Sequence, residues 1–191
     1  MIQGILLAAG FGRRFDPSGR TSKLLAPLGD GHSVAWHSAR NLCSALPGSL
    51  AVIRPGQTAL AAQLADAGCR ILESSEAESG MGNALAHAVR DTAGADGWVI
   101  ALADMPWLPP AAVLAVAHAI DVPQRMVAAA HLGTRGHPVG FGAHWGEALG
   151  ALHGDTGARD LLKHGTLHLV EADSAGVLRD IDRPEDLTKP V

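Results

Sequence analysis

The feature that most constrains this chain is an alternation. Short apolar runs, each followed by a stretch with apolar residues at helical spacing, recur through the first two thirds of the sequence. The runs at 2–8, 49–54, 69–73 and 97–103 predict strands. The stretches Ser33 to Leu46, Thr58 to Ala67, Gly82 to Ala93 and Pro110 to Ile120 predict helices, and Pro110 suits a first helical turn, where a missing amide hydrogen costs nothing. Strands alternating with helices imply an α/β fold of three layers, a mostly parallel central sheet with helices on both faces.

The last third is less regular. There, 126–131 and 167–171 predict strands, and Gly142 to Leu152 and Asp155 to His164 predict helices. No internal repeat, low-complexity tract or Pro/Ser-rich linker interrupts the chain, and 191 residues is the size of one compact domain, so 1–191 reads as a single domain.

Composition removes several function classes. No window approaches the roughly 20 uninterrupted apolar residues of a membrane span, and the opening MIQGILLAAGFG lacks the charged leader and cleavage site of a secretory signal. A formal charge of −4 argues against general nucleic-acid binding, so a phosphate ligand must be held by a local cluster. Cys43 and Cys69 lie in separate elements without zinc or redox spacing, which fits a reducing cytoplasm. None of the ten histidines forms a recognised metal motif, so His118, His153, His164 and His168 read as surface or half-buried residues. No G-x-S-x-G elbow supports Ser hydrolase chemistry.

Six segments carry candidate chemistry. Leu7-Ala8-Ala9-Gly10-Phe11-Gly12-Arg13-Arg14-Phe15 follows the first strand and leads to Lys23. A Gly-rich turn after a strand can aim backbone N–H groups at an anion, with Arg14 and Lys23 supplying charge. The dinucleotide fingerprint fails, because Phe15 stands at the third Gly position, and no Walker-type loop exists. Ala101-Leu102-Ala103-Asp104-Met105-Pro106 ends a strand in a carboxylate, at the sheet edge where ligands of parallel sheets bind. Asp104 is therefore a candidate Mg²⁺ ligand, a metal that takes one or two carboxylates plus substrate phosphates. Asp180-Ile181-Asp182-Arg183-Pro184 can supply a second carboxylate, with Asp180 and Asp182 on one face if the segment is a short strand and Pro184 opening a helix.

Gly80-Met81-Gly82 enters a helix and can bring backbone close to a flat base. The segments 133–138 and 154–159 each set an Arg, Arg135 and Arg159, among turn-forming residues, with His137 in the first. Arg presents a bidentate fork to phosphate oxygens. Taken singly, each segment also reads as an ordinary turn.

Together and in this order, these pieces resemble the molybdenum cofactor cytidylyltransferases, within the wider group that includes the molybdopterin guanylyltransferases. The resemblance spans almost the whole chain. It implies a Rossmann-like nucleotidyltransferase fold, a nucleotide loop of Leu7, Ala8, Ala9, Gly10 and Gly12 with Arg14 and Lys23 on the phosphates, and Gly80 and Gly82 beside the base. It also implies Arg14, Lys23 and Asp104 as the catalytic set, Asp104 and Asp182 on Mg²⁺, and Arg135, His137 and Arg159 on the acceptor side. Ala9 stands where the guanylyltransferases typically carry Gly, which looks like a CTP-using protein. The connection Asp16 to Ser22 before Lys23 is longer than the family's. The implied reaction transfers CMP from CTP to the terminal phosphate of molybdopterin or molybdenum cofactor, with a molybdenum hydroxylase or its accessory protein as partner and no nucleic acid or membrane involved. Three other readings stay open: another donor or a sugar or alcohol phosphate acceptor, an NAD(P)H oxidoreductase on this scaffold, and non-enzymatic cofactor delivery.

Overall fold

The structure, a computed structural model, describes residues 1–155, 157–163 and 165–188. The strands are β1 (Ile2–Leu7), β2 (Leu50–Ile53), β3 (Arg70–Glu73), β4 (Gly97–Leu102), β5 (Met126–His131), β6 (Thr134–Gly142) and β7 (Leu167–Glu171). The α-helices are α1 (Val34–Ala45), α2 (Thr58–Asp66), α3 (Met81–Asp91), α4 (Pro110–His118) and α5 (Gly146–Gly150). All seven strands form one sheet in the order β3-β2-β1-β4-β6-β5-β7. β6 runs antiparallel to β4 and β5, and every other pairing is parallel.

The apolar runs are continuous because the sheet is covered on both faces. Leu6, Ala51, Val99 and Ala101 face one layer, packing with Leu42 of α1, Leu60 and Leu64 of α2, and Val113 and Val116 of α4. Ile5, Val52, Ile100 and Phe141 face the other, against Leu85 and Val89 of α3 and Leu149 of α5. Each fully buried Leu, Ile or Val contributes about 1.5–3 kcal/mol, so these two layers outweigh any surface ion pair. Capping fixes where α1 begins: the Ser33 hydroxyl accepts a hydrogen bond from the Trp36 amide at 3.2 Å. Pro110 is the first residue of α4, as the sequence predicts.

Differences concentrate in the last third. The segment around Arg135 and His137, read from sequence as a loop, belongs to β6. Leu132 (φ 50°) and Gly133 (φ 74°) make a two-residue hairpin turn between β5 and β6, with His131 paired to Thr134. The helix expected over Gly142 to Leu152 shrinks to a 3₁₀ turn followed by the five residues of α5. In place of a helix over Asp155 to His164 stand two 3₁₀ turns, Gly157–Arg159 and Leu161–Lys163, while Thr156 and His164 lie outside the described residues. Asp180 to Asp182 joins no strand, and Pro184 opens a 3₁₀ turn, Pro184–Thr188. Among the described residues no helix is long and apolar enough to cross a membrane.

Candidate active site

The site forms at the carboxyl ends of β1 and β4. Lys23, in a 3₁₀ turn after the Gly-rich loop, places its Nζ 2.7 Å from Asp104 Oδ2 and 3.3 Å from Asp182 Oδ1. Arg14 donates to Asp182 Oδ2 at 2.7 Å. Arg14 and Lys23, from the Gly-rich loop and its extension, therefore converge on Asp182, and Lys23 ties it to Asp104. The Ile181 amide donates to the Asp104 carbonyl at 2.9 Å, which fixes the C-terminal segment beside the end of β4.

The long connection before Lys23 is organised by Asp16. Its carboxylate accepts hydrogen bonds from the Ser18 hydroxyl at 2.6 Å and from the Ser18 and Thr21 amides, each at 2.8 Å. The Ser18 hydroxyl bond, with these two amides, holds the Asp16 pKa down to about 2. The extra residues thus close on themselves and deliver Lys23 to the carboxylates.

The electrostatics are those of a cation site. Carboxylate oxygens of Asp104, Asp180 and Asp182 lie within 4.8 Å of one another. Asp104 Oδ1 is buried with no hydrogen-bond partner, and Lys23 occupies only the other oxygen. A buried carboxylate oxygen left unpaired is costly, and a hard divalent cation takes such oxygen ligands. The acidic set therefore fits a divalent metal. Burial works to lower the Lys23 pKa, but the charges and hydrogen bonds of Asp104 and Asp182 outweigh it, so the ammonium stays protonated. For Asp182, burial opposes ionisation and is overcome by the hydrogen bonds from Arg14 and Lys23, which lower the pKa. Asp180 is exposed at the rim, yet surrounding protein desolvates it enough, with the charges of Asp104 and Asp182, to raise its pKa.

Three adjoining hollows lead away from this centre. One of about 250 Å³ is lined by Phe11, Gly12, Arg13, Arg14, Lys23 and Asp182. A second, about 260 Å³, is lined by Leu7, Ala9, Gly10, Phe11, Gly80, Met81 and Asp155, among others. The third, about 550 Å³, has apolar walls from Leu7, Leu85, Ile100, Leu102, Val139 and Leu162, with Arg135, His137, Asp155 and Arg159 as polar members. Phe11 is shared by the first two hollows, and Leu7, Met81 and Asp155 by the last two, so they form one cleft.

The sequence-derived residues fall into place unevenly. Leu7, Ala9, Gly10, Gly12, Arg14, Lys23, Gly80, Asp104, Asp182, Arg135, His137 and Arg159 gather along this cleft or its acidic end. The Ala8 side chain packs in the core on the far face of the sheet, and its amide is taken by the Val52 carbonyl at 3.0 Å. Gly82 is buried against the 153–154 backbone: its amide donates to the Gly154 carbonyl at 2.7 Å, and a Cβ there would sit 2.8 Å from that oxygen. The same loop confines Gly80, where φ is 131° and a Cβ would approach the Gly154 oxygen to 2.4 Å. These glycines thus have a packing reason besides the one read from sequence. His137 opens partly to the cavity, yet burial, then the charge of Arg135, push its pKa down to about 4, so its imidazole is neutral at pH 7.

Sequence reasoning left Asp180 out of the candidate metal ligands, although it had placed Asp180 and Asp182 on one face, and the structure brings its carboxylate into the same acidic group. It also gave no role to Phe11, whose exposed ring is flanked by the guanidinium groups of Arg54 at 4.2 Å and Arg13 at 5.1 Å. Arg54 lies at the end of β2, a position that only the sheet order brings beside the Gly-rich loop.

Comparison with known proteins agrees with this geometry. PucB, a purine catabolism protein of Bacillus subtilis (strain 168), is 38% identical over 119 residues, which span 58% of this chain and 56% of PucB. Rv0371c of Mycobacterium tuberculosis H37Rv superposes with a TM-score of 0.76 at 26% identity, covering 97% of this chain and 94% of that one. Rv0371c has also been solved in complex with manganese. A nucleotidyl transferase of Methanothermobacter thermautotroptrophicus, Mth528, superposes with a TM-score of 0.82 at 22% identity over 97% of this chain and 94% of its own. Residues 4–171 match the MobA-like NTP transferase domain, and the chain belongs to that nucleotidyltransferase family.

Proposed function

We propose that this protein transfers CMP from CTP to the terminal phosphate of molybdopterin or molybdenum cofactor, releasing pyrophosphate, with Mg²⁺ as the divalent ion. The observation that carries the reading is Lys23 bridging Asp104 and Asp182 beside the Gly-rich loop, at one end of a cleft whose other end holds Arg135 and Arg159. The triphosphate lies along Gly10, Gly12, Arg14 and Lys23. The base rests near Ala9, Gly80 and Met81, where Ala rather than Gly at position 9 favours cytidine. The 550 Å³ hollow, with apolar walls, two guanidinium groups and the Asp155 carboxylate where it meets the base hollow, suits a flat heterocycle carrying phosphate.

In this reaction an acceptor phosphate oxygen attacks the α-phosphorus of CTP, and the bond to the pyrophosphate oxygen breaks. The second pKa of a phosphate monoester is about 6, so the nucleophile is already ionised at neutral pH and no protein base is required. Arg14 and Lys23 neutralise charge on the phosphates. Because the Lys23 pKa is raised, it serves as a fixed cation rather than a proton donor. Asp104, Asp182 and Asp180 would hold the metal, whose bound charge offsets that of the phosphates. Arg135 and Arg159 orient the acceptor, and neutral His137 contributes a hydrogen bond and a wall.

The test is pyrophosphate release from purified protein given CTP, Mg²⁺ and freshly prepared molybdopterin, against sugar phosphates and an alcohol phosphate as acceptors. Release confined to the pterin supports the reading; release with another acceptor, or with GTP in place of CTP, contradicts it.

A further inference from the structure

Cys43, near the end of α1, and Cys69, immediately before β3, are 26 residues apart in sequence, both buried and both free thiols. Their Sγ atoms are 3.2 Å apart. The backbone around the pair is pinned. The Cys69 amide donates to the Leu64 carbonyl at 3.0 Å, and the Arg70 amide to the Ser49 carbonyl at 2.9 Å. A disulfide has an S–S length of about 2.05 Å, so the sulfurs need to close by only about 1 Å.

We propose that Cys43 and Cys69 are an oxidation site: a small-molecule disulfide converts them to an intramolecular disulfide that ties α1 to the start of β3, at the end of the sheet opposite the nucleotide cleft. The hydrogen bond from Cys69 lowers the Cys43 pKa and raises that of Cys69, with burial adding to the latter, so Cys43 is the attacking thiolate. Its sulfur attacks one sulfur of oxidised glutathione. That S–S bond breaks, and the departing glutathione thiolate takes up the proton that Cys43 has lost. Cys69 then loses its proton as its sulfur attacks the Cys43 sulfur of the mixed disulfide, and the second glutathione leaves and is protonated. Two protein thiols and one glutathione disulfide become one protein disulfide and two glutathione thiols, with two electrons passing to the oxidant.

The test equilibrates the full chain in reduced and oxidised glutathione, quenches with acid, blocks free thiols under denaturing conditions and reads intact mass and peptides. The expected product is lighter by two hydrogens, carries a Cys43–Cys69 linked peptide, and melts roughly 5 °C or more above the reduced protein. Glutathione adducts without the linked peptide, covalent dimers, thiols that stay free throughout, or a linked product with an unchanged Tm would each overturn the proposal. The assay uses no nucleotide, so its outcome is independent of the proposed transferase activity.

Discussion

Replacing Lys23 by Met removes the ammonium that contacts both Asp104 and Asp182 while keeping the length of the stem. The Lys23 and Asp104 side chains are 11% and 18% exposed, and Asp182 is 34% exposed. Breaking a fully buried pair by removing one partner costs about 3–5 kcal/mol, and an exposed pair is worth about 0–1 kcal/mol. An intermediate pair flanked by a third carboxylate should cost about 2–3 kcal/mol. At about 2–4 °C per kcal/mol for a chain of this size, Lys23→Met should melt about 5–10 °C below the unsubstituted protein in metal-free buffer. The three carboxylates remain, with more uncompensated charge, so millimolar Mg²⁺ or Mn²⁺ should recover most of the lost Tm and chelator should reverse the gain. Turnover should stay low with metal present, because the proposed function also uses the lysine to neutralise the phosphates. Thermal scans with and without each ion decide the matter. A metal-free variant that melts with the unsubstituted protein, or one that no divalent ion stabilises, would refute this view of Lys23 as an internal counter-ion.

Asp104→Asn keeps the shape of the side chain and removes its charge, so pyrophosphate release should fall at least about a hundredfold, ~3 kcal/mol in the barrier, with a smaller loss of Tm than Lys23→Met, because the Asn oxygen still accepts from Lys23 and the ammonium keeps Asp182; near-normal turnover would remove Asp104 from the site. Gly82→Ala places a methyl 2.8 Å from the Gly154 carbonyl oxygen and should lower stability by about 1–3 kcal/mol in urea titrations, an unchanged midpoint counting against the packing described. For His137, burial lowers the pKa from 6.5 to about 4. Between those values the unfolded chain binds the extra proton, so this group's contribution to stability falls as pH drops through that window. Allowing for its partial exposure, the protein should lose about 1 kcal/mol more between pH 7 and pH 5 than His137→Gln does, and parallel urea midpoints for the two would show the assignment to be wrong.

The sequence was most informative where both faces of a strand are buried. From β1 to α4 the alternation of runs such as Gly97 to Leu102 with capped helices such as α1 leaves little choice of architecture. It was least informative in β6, because that strand is built of Thr134, Arg135, Gly136, His137 and Pro138 before it reaches Val139 and Phe141. Its glycines answer to tertiary crowding: a Cβ at Gly140 would lie 2.9 Å from both Ile120 and Val116. Such a constraint leaves no local pattern in the chain. The same distinction runs through the site. Lys23, Asp104 and Asp182 were legible because each sits in a short motif, and they do meet. Asp180 as a third carboxylate, Arg54 against Phe11, and the approach of Cys43 to Cys69 depend on which distant segments the sheet brings together.

The central claim, a metal-dependent cytidine nucleotide site on the Gly-rich loop, is tested most directly by calorimetric titration of the purified protein with CTP, GTP, UTP and NADPH, each with Mg²⁺ and again with chelator. The account predicts that CTP binds most tightly, that chelator removes most of that binding, and that NADPH gives no heat of binding. Preference for NADPH, equal affinity for all three triphosphates, or CTP binding indifferent to metal would contradict it.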